Sequence, residues 1–194
     1  MAAFQLDEII VSDDFVPATL RRDLNNLVSG PIWQYGHRSN GRRDRFCFWN
    51  AHFAGGSGSS RKNCEEQLAA NSACEPVWRL WKLLEQGVLN GHEPLRVYAN
   101  AHTYGVEGYV HQDNKDTENY YSTIYYAHPV WHKNWCGDIV FYTPDGQDIL
   151  RSVYPKPGRA VSFHGSIHHC ARAPSRDCSE LRISIVIKTQ MRGS

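Results

Sequence analysis

His111 and Asp113 stand two positions apart in the run Gly108-Tyr109-Val110-His111-Gln112-Asp113. On an extended chain, residues i and i+2 point to the same side. An imidazole and a carboxylate at this spacing can therefore meet one cation together. In a chain with ten His such a pair also arises as a surface His beside a turn Asp. It gains chemical meaning if a second His reaches the same cation from elsewhere. Two imidazoles and one carboxylate on one face of an octahedron leave the other face free for further ligands.

Three candidates for that second His follow the strand-like run Gly158-Arg159-Ala160-Val161-Ser162-Phe163: His164, His168 and His169. Beyond them lies an alternating apolar run from Leu181 to Lys188. In it Arg182, Ser184 and Val186 share one face, while Ile183, Ile185 and Ile187 share the other. A buried Arg is rare unless paired, and no acidic residue stands beside Arg182 in that run. Arg182 thus reads either as an Arg on a solvated sheet face or as the partner of a ligand carboxylate. The guanidinium fork suits the second role, because it meets a carboxylate with two parallel hydrogen bonds.

The elements that must position these residues divide by period. In the first half, Leu20, Leu24, Leu27 and Val28 predict a helix over about 17–28, and Val77, Leu80, Trp81, Leu84 and Val88 predict another over 73–90. Strand-like pieces are expected at 4–11 and 32–35. The dense aromatic run 46–53 is followed by the Gly- and Ser-rich stretch 54–60, whose composition suits a mobile loop or lid. After Pro94 the period changes to two. Strands are expected over 95–102, 109–112, 120–127, 138–142, 147–153, 159–163, 168–172 and 181–189, with Gly, Pro, Asp and Asn marking the turns. Eight short strands at this spacing read as a double-sheet jelly roll. The expectation is a single α+β, mainly β domain over 1–194: helical support over about 1–93 braces a jelly-roll core over about 94–190.

Composition removes several classes. The net charge is +1, so no bulk field draws in nucleic acid or an anionic membrane. The six Cys include no Cys-x-x-Cys pair, which argues against a zinc knuckle. No stretch approaches membrane-spanning length, and the N-terminal residues carry no signal-peptide pattern. A cytoplasmic protein with reduced thiols is the expectation.

In order along the chain, His111-x-Asp113, His169 and Arg182 resemble the 2-oxoglutarate/Fe(II) dioxygenase family in its short prolyl-hydroxylase-like branch. Arg96-Val97-Tyr98-Ala99-Asn100 through His111 resembles the strand leading to the first ligand. Thr123-Ile124-Tyr125-Tyr126 with Trp131 and Trp135 resembles the family's strand–loop segment. Gly137-Asp138-Ile139-Val140-Phe141-Tyr142 resembles its Gly-Gly-acidic-apolar strand, with Cys136 at the first Gly. Together these cover about Leu95 to Lys188. Among the three late His, similar sequences favour His169, with Phe163 shortly before it and Ala171 two places on. His168 would point to the opposite face, and His164 comes too early.

The resemblance implies Fe(II) held by His111, Asp113 and His169. It implies 2-oxoglutarate as co-substrate, its far carboxylate on Arg182 with Tyr126 as hydroxyl donor, O2 as oxidant, and ascorbate as reductant in vitro. Oxidative decarboxylation would give succinate and CO2 and hydroxylate an unactivated C–H. Asp113 favours hydroxylation over halogenation, while desaturation or ring closure would use the same set. Asn100, His102, Tyr104 and Trp131 flank the expected site and are candidate substrate contacts. The reading favours a small-molecule substrate, amino-acid-like or a secondary metabolite. A protein or peptide side-chain hydroxylase, and a cupin-like metal-dependent isomerase or binding protein, remain as alternatives.

Overall fold

The computed structural model describes residues 8–41, 44–56, 60–115 and 119–193. The start of the strand expected at 4–11, Arg42 and Arg43, and the centre of the Gly- and Ser-rich stretch at 57–59 lie outside the described residues.

Helix α1 spans Ala18–Val28 and buries Leu20, Leu24 and Val28, one residue per turn along a single stripe. Pro17 immediately precedes it, where the fixed φ suits helix entry and no intrahelical N–H is lost. Helix α2 spans Glu65–Ala70. It was not anticipated, because Leu68 is its one buried residue and a single apolar position has no period to read. Helix α3 spans Glu75–Gln86 and buries Val77, Leu80, Trp81 and Leu84, with Pro76 in its first turn. It is shorter than the expected 73–90: a 3-10 turn over Ser72–Cys74 precedes it and Gly87 follows it.

The strands are β1 (Ile9–Ser12), β2 (Gln34–His37), β3 (Phe48–Gly55), β4 (His92–His102), β5 (Tyr120–Tyr126), β6 (Ile139–Tyr142), β7 (Ile149–Val153), β8 (Ala160–His164), β9 (His169–Ala171) and β10 (Arg182–Met191). They form a seven-stranded sheet in the order β1-β8-β5-β10-β4-β3-β2 and a three-stranded sheet in the order β7-β6-β9. All pairings are antiparallel. The two sheets face one another: Ile9, Val161 and Phe163 of the large sheet pack on Ile139, Phe141 and Val153 of the small one. This is the α+β, mainly β double-sheet jelly roll expected from the pattern. The first half supplies more than helices, however, since β1, β2 and β3 are all members of the large sheet.

The run 109–112 is not a strand. One bridge, His111 to His169, pairs it with the small sheet, and Val110 packs on Val140, Tyr142 and Cys170 beside it. Gly108 and Gln112 flank too short a stretch for a ladder, and the backbone N–H groups of Asp113 and Asn114 turn instead to the carbonyl of Gly165.

The two-residue period of β4 and β10 separates structure from site. Val97, Ala99, Ala101, Ile183, Ile185 and Ile187 face the helices and join Leu24, Val77, Leu80 and Trp81 in the main core. The alternate residues, from Arg96 to His102 and from Arg182 to Lys188, line a cavity between the sheets. Close pairing of β3 with β4 sets one tight constraint. Gly55 has φ +93, and a Cβ there would lie 2.7 Å from the Cα of Arg96. Gly55→Ala should therefore lower stability by at least the ~1–3 kcal/mol of a strained φ. Urea unfolding of the two proteins measures it, and an unchanged midpoint would contradict the pairing.

Candidate metal centre

His111, Asp113 and His169 converge, with one ligand atom of each lying within 4.8 Å of the others. His111 comes from the bridge residue, Asp113 from the turn after it, and His169 from the first position of β9. His111 Nε2 is 3.6 Å from Asp113 Oδ1, and His169 Nε2 is 3.4 Å from Asp113 Oδ2. The other ring nitrogens are already committed. His111 Nδ1 lies 2.8 Å from the carbonyl of Tyr109, and His169 Nδ1 lies 2.8 Å from the carbonyl of Ile167. A carbonyl only accepts, so each Nδ1 must donate. In the neutral ring this leaves the Nε2 lone pair facing the shared point, the arrangement by which backbone carbonyls orient metal-binding imidazoles. The donor set, two imidazoles and one carboxylate, fits a divalent transition metal.

His164 and His168, the other candidates, lie elsewhere. His164 Nδ1 is bonded to Ser166 Oγ at 2.8 Å. His168 lines a surface hollow together with His111 and Asp113, but it is not one of the converging ligands.

The carboxylate is also held by two groups that the sequence reading did not single out. Ser122 Oγ donates to Asp113 Oδ2 at 2.6 Å, and Lys188 Nζ forms a close ion pair with the same oxygen. Lys188 also donates to Ser122 Oγ at 3.0 Å. Burial alone would raise the Asp113 carboxyl, but Lys188, then His169 and His111, outweigh it and hold it well below the usual carboxylate range. Lys188 is pushed up in turn, since Asp113 more than offsets its burial. Burial lowers His169 to about 3, so its ring is neutral, as ligation requires.

The cavity in front of the triad measures about 480 Å³, a size that suits a small molecule. Its far wall carries Arg182, which is 1% exposed. The Arg182 Nε donates to the carbonyl of Gly137, and Nη2 reaches the Tyr126 hydroxyl at 3.4 Å. Among the described residues no carboxylate forms an ion pair with it. Gly137 has φ +82, and a Cβ there would come within 3.1 Å of the Arg182 Cδ. The preceding residue, Cys136, has φ 53, a conformation that Gly takes without cost.

His102, opposite Arg182 on β4, is buried and lines the cavity with neither ring nitrogen hydrogen-bonded. Burial, then Arg182 and His37, lowers it to about 3, so it is a neutral imidazole. Asn100 also lines the cavity, its side-chain oxygen accepting from Asn50 Nδ2 at 2.8 Å. Two other proposed substrate residues are not brought in. Tyr104 is 61% exposed on the loop after β4. Trp131 packs behind Arg182, between His128 and Trp135, with its indole N–H on the carbonyl of Cys136. No helix of the described residues is long and apolar enough to cross a membrane.

No protein-family model and no curated protein sequence matches the chain. Solved structures do. A 2OG-Fe(II) oxygenase family oxidoreductase from Burkholderia pseudomallei superposes with a TM-score of 0.73 at 12% identity, over 96% of this chain and 87% of that one. A prolyl hydroxylase from Trichoplax adhaerens, solved with a hypoxia-inducible-factor peptide, gives 0.68 at 14% identity, over 96% and 84%. A non-haem alpha-ketoglutarate-dependent epimerase of nogalamycin biosynthesis gives 0.61 at 13% identity, over 94% and 77%. The chain therefore has the fold of these oxygenases.

Removing Asp113 should strand the Lys188 ammonium in a buried position. Asp113→Ala should destabilise the protein, kept free of metal with EDTA, by ~3–5 kcal/mol, the usual cost of leaving a buried charge unpaired. Lys188→Met/Asp113→Ala should recover most of that loss. Because folding depresses the Asp113 carboxyl, its contribution is complete above the unfolded value of about 3.9 and fades as pH falls toward the folded value. Urea unfolding at pH 7 and under acid conditions checks both points. Equal stability of wild type and Asp113→Ala at pH 7 would contradict the ion pair.

Proposed function

We propose that this chain is a 2-oxoglutarate- and Fe(II)-dependent dioxygenase that hydroxylates an unactivated C–H of a small molecule. The observation that carries the proposal is the orientation of the triad. Two imidazoles with their Nδ1 atoms committed to carbonyls, and one carboxylate, turn their remaining donors to a single point that opens onto the cavity. Such a set holds three positions on a metal and leaves the rest for other ligands.

With the metal bound, 2-oxoglutarate and O2 supply the oxidising chemistry, releasing succinate and CO2. The chain's own residues have separate tasks. His111, His169 and Asp113 hold the metal. Ser122 and Lys188 fix Oδ2 of Asp113, the oxygen beside His169 Nε2, so the carboxylate does not swing. Arg182, a buried guanidinium without a carboxylate of the described residues, would take the far carboxylate of 2-oxoglutarate, and the Tyr126 hydroxyl, which accepts from Arg182, keeps its own proton to donate. His102 would offer an imidazole N–H on the same wall. Burial of this wall keeps water away from the reacting centre.

Support for a small substrate comes from the size of the cavity and from the epimerase of nogalamycin biosynthesis among the structural neighbours. The peptide-bound prolyl hydroxylase supports a second reading, side-chain hydroxylation of a peptide. A cupin-like isomerase does not need Arg182 in the wall.

The protein with Fe(II), ascorbate and 2-oxoglutarate should form succinate slowly without added substrate, and no succinate would contradict the proposal. Arg182→Ala should weaken 2-oxoglutarate binding by ~2–5 kcal/mol, since the carboxylate loses its buried partner, while metal binding persists. Isothermal titration with Zn(II) in place of Fe(II) measures both. His169→Ala should abolish succinate formation and His168→Ala should leave most of it.

A further inference from the structure

Arg96 on β4 and Lys188 on β10 are direct cross-strand partners. Both line the cavity, so their side chains point to the same face. Like charges placed directly opposite one another in a sheet are destabilising. Lys188 is compensated by Asp113. Arg96 is not: among the described residues it forms no ion pair, and its guanidinium lies 4.4 Å from the centre of the Tyr98 ring. A stacked guanidinium keeps its edge N–H groups free for an acceptor.

The charge of the whole cavity points the same way. Its lining carries Arg38, Arg96, Arg182 and Lys188 against the single carboxylate of Asp113. A divalent metal and the dianion of 2-oxoglutarate cancel one another, so the loaded cavity still holds a surplus of three positive charges. Arg182 and Arg96 cannot serve one co-substrate. Arg182 pairs with His102, and Arg96 with Lys188 six residues further along β10, which is about 20 Å of strand. Their guanidinium groups are held apart as well, that of Arg182 by the Gly137 carbonyl and the Tyr126 hydroxyl and that of Arg96 over the Tyr98 ring. One anion accounts for the Arg182 end, and the Arg96 end needs another.

We infer that the primary substrate is a small molecule bearing an oxyanion, a carboxylate or a phosphate, and that Arg96 is its principal anchor, with Lys188 beside it and Arg38 at the rim. This rests on the reading of the cavity as an oxygenase site and names the substrate class for it. The anion held at Arg96 sits on the metal side of the cavity, because its neighbour Lys188 is bonded to Asp113. The rest of the substrate is thereby tethered near the triad, the proximity that a C–H oxidation requires.

The test uses four fragments: benzoate, phenyl phosphate, the neutral isostere benzamide, and the cation benzylamine. Binding is followed by ligand-observed NMR to the full-length protein with Zn(II) and saturating 2-oxoglutarate, which blocks the Arg182 end. Benzoate or phenyl phosphate should bind at least about tenfold more tightly than benzamide, and benzylamine should not bind; which anion binds better separates carboxylate from phosphate substrates. Arg96→Met should erase that preference and Arg96→Lys should restore part of it, while 2-oxoglutarate affinity stays within about twofold in both. Failure of both anions to bind, equal binding of benzamide, or a preference that survives Arg96→Met would each overturn the inference. Failure of 2-oxoglutarate itself to bind would instead count against the oxygenase reading, and the anion preference can still be measured without it.

Discussion

The buried ion pair between Lys188 and Asp113 joins the last strand of the fold to the loop that carries the candidate metal ligands. The backbone of that loop is held by one bridge from His111 to His169, by the N–H groups of Asp113 and Asn114 on the carbonyl of Gly165, and by Gln112 Nε2 on the carbonyl of Ser166. A carboxylate on such a turn would be free to rotate. The Lys188 ammonium and the Ser122 hydroxyl fix its Oδ2 from two neighbouring strands, β10 and β5. Burial makes the arrangement demanding, because each charge is tolerable only while the other is present. The orientation of Asp113 is therefore set by the large sheet as a whole, since β10 sits between β4 and β5 at its centre.

The period of two in β10 makes this possible. One side of the strand carries Ile183, Ile185 and Ile187, packed on helices α1 and α3 through the main core. The other side presents Arg182, Ser184, Val186 and Lys188 to the cavity. A slip of one residue would exchange the two sets and bury two cations among Leu and Trp. The aliphatic face thus specifies the register, and the register delivers one cation to each end of the cavity. The helices act on the chemistry only in this indirect way.

Much of this was legible in the sequence, and the gaps have physical reasons. His111-x-Asp113 was visible because i and i+2 share a side. The inward face of β10 was read as Arg182, Ser184 and Val186; carrying the same alternation two residues further reaches Lys188, and that signal was there to use. The facing of Arg96 and Lys188 was not readable, because it depends on the register between strands more than eighty residues apart. The expected strand at 109–112 has the right residue types but a single partner, and propensity does not reveal whether a partner exists. The fold's first half was read as helical support because the helix period dominates there. β2 and β3 are carried by polar and aromatic residues such as Gln34, Tyr35, Trp49 and Asn50 without strict alternation, and they become strands by pairing with β4 and with each other. Tyr104 and Trp131 were aromatic and near the ligands in sequence, but their positions turn on loop geometry that spacing does not encode.

Locally consistent choices dominate the outer face of the large sheet, and the exceptions gather on its inner face. Arg182 is a buried cation without an ion pair among the described residues, His102 is a buried imidazole with no hydrogen bond, and Arg96 faces Lys188 as a like charge. Each costs folding free energy on its own. Trp81 Nε1, in the main core, and His168 Nδ1 are also buried without a partner, but Arg182, His102 and Arg96 share one cavity with the converging triad. Under the proposed function, ligand atoms supply the partners of these three. A fold can carry several such defects in one place because the opposite face of the same strands supplies the apolar burial that offsets them. On that reading the unpaired groups of the cavity describe what enters it, with an acceptor at each end and the metal at the Lys188 end.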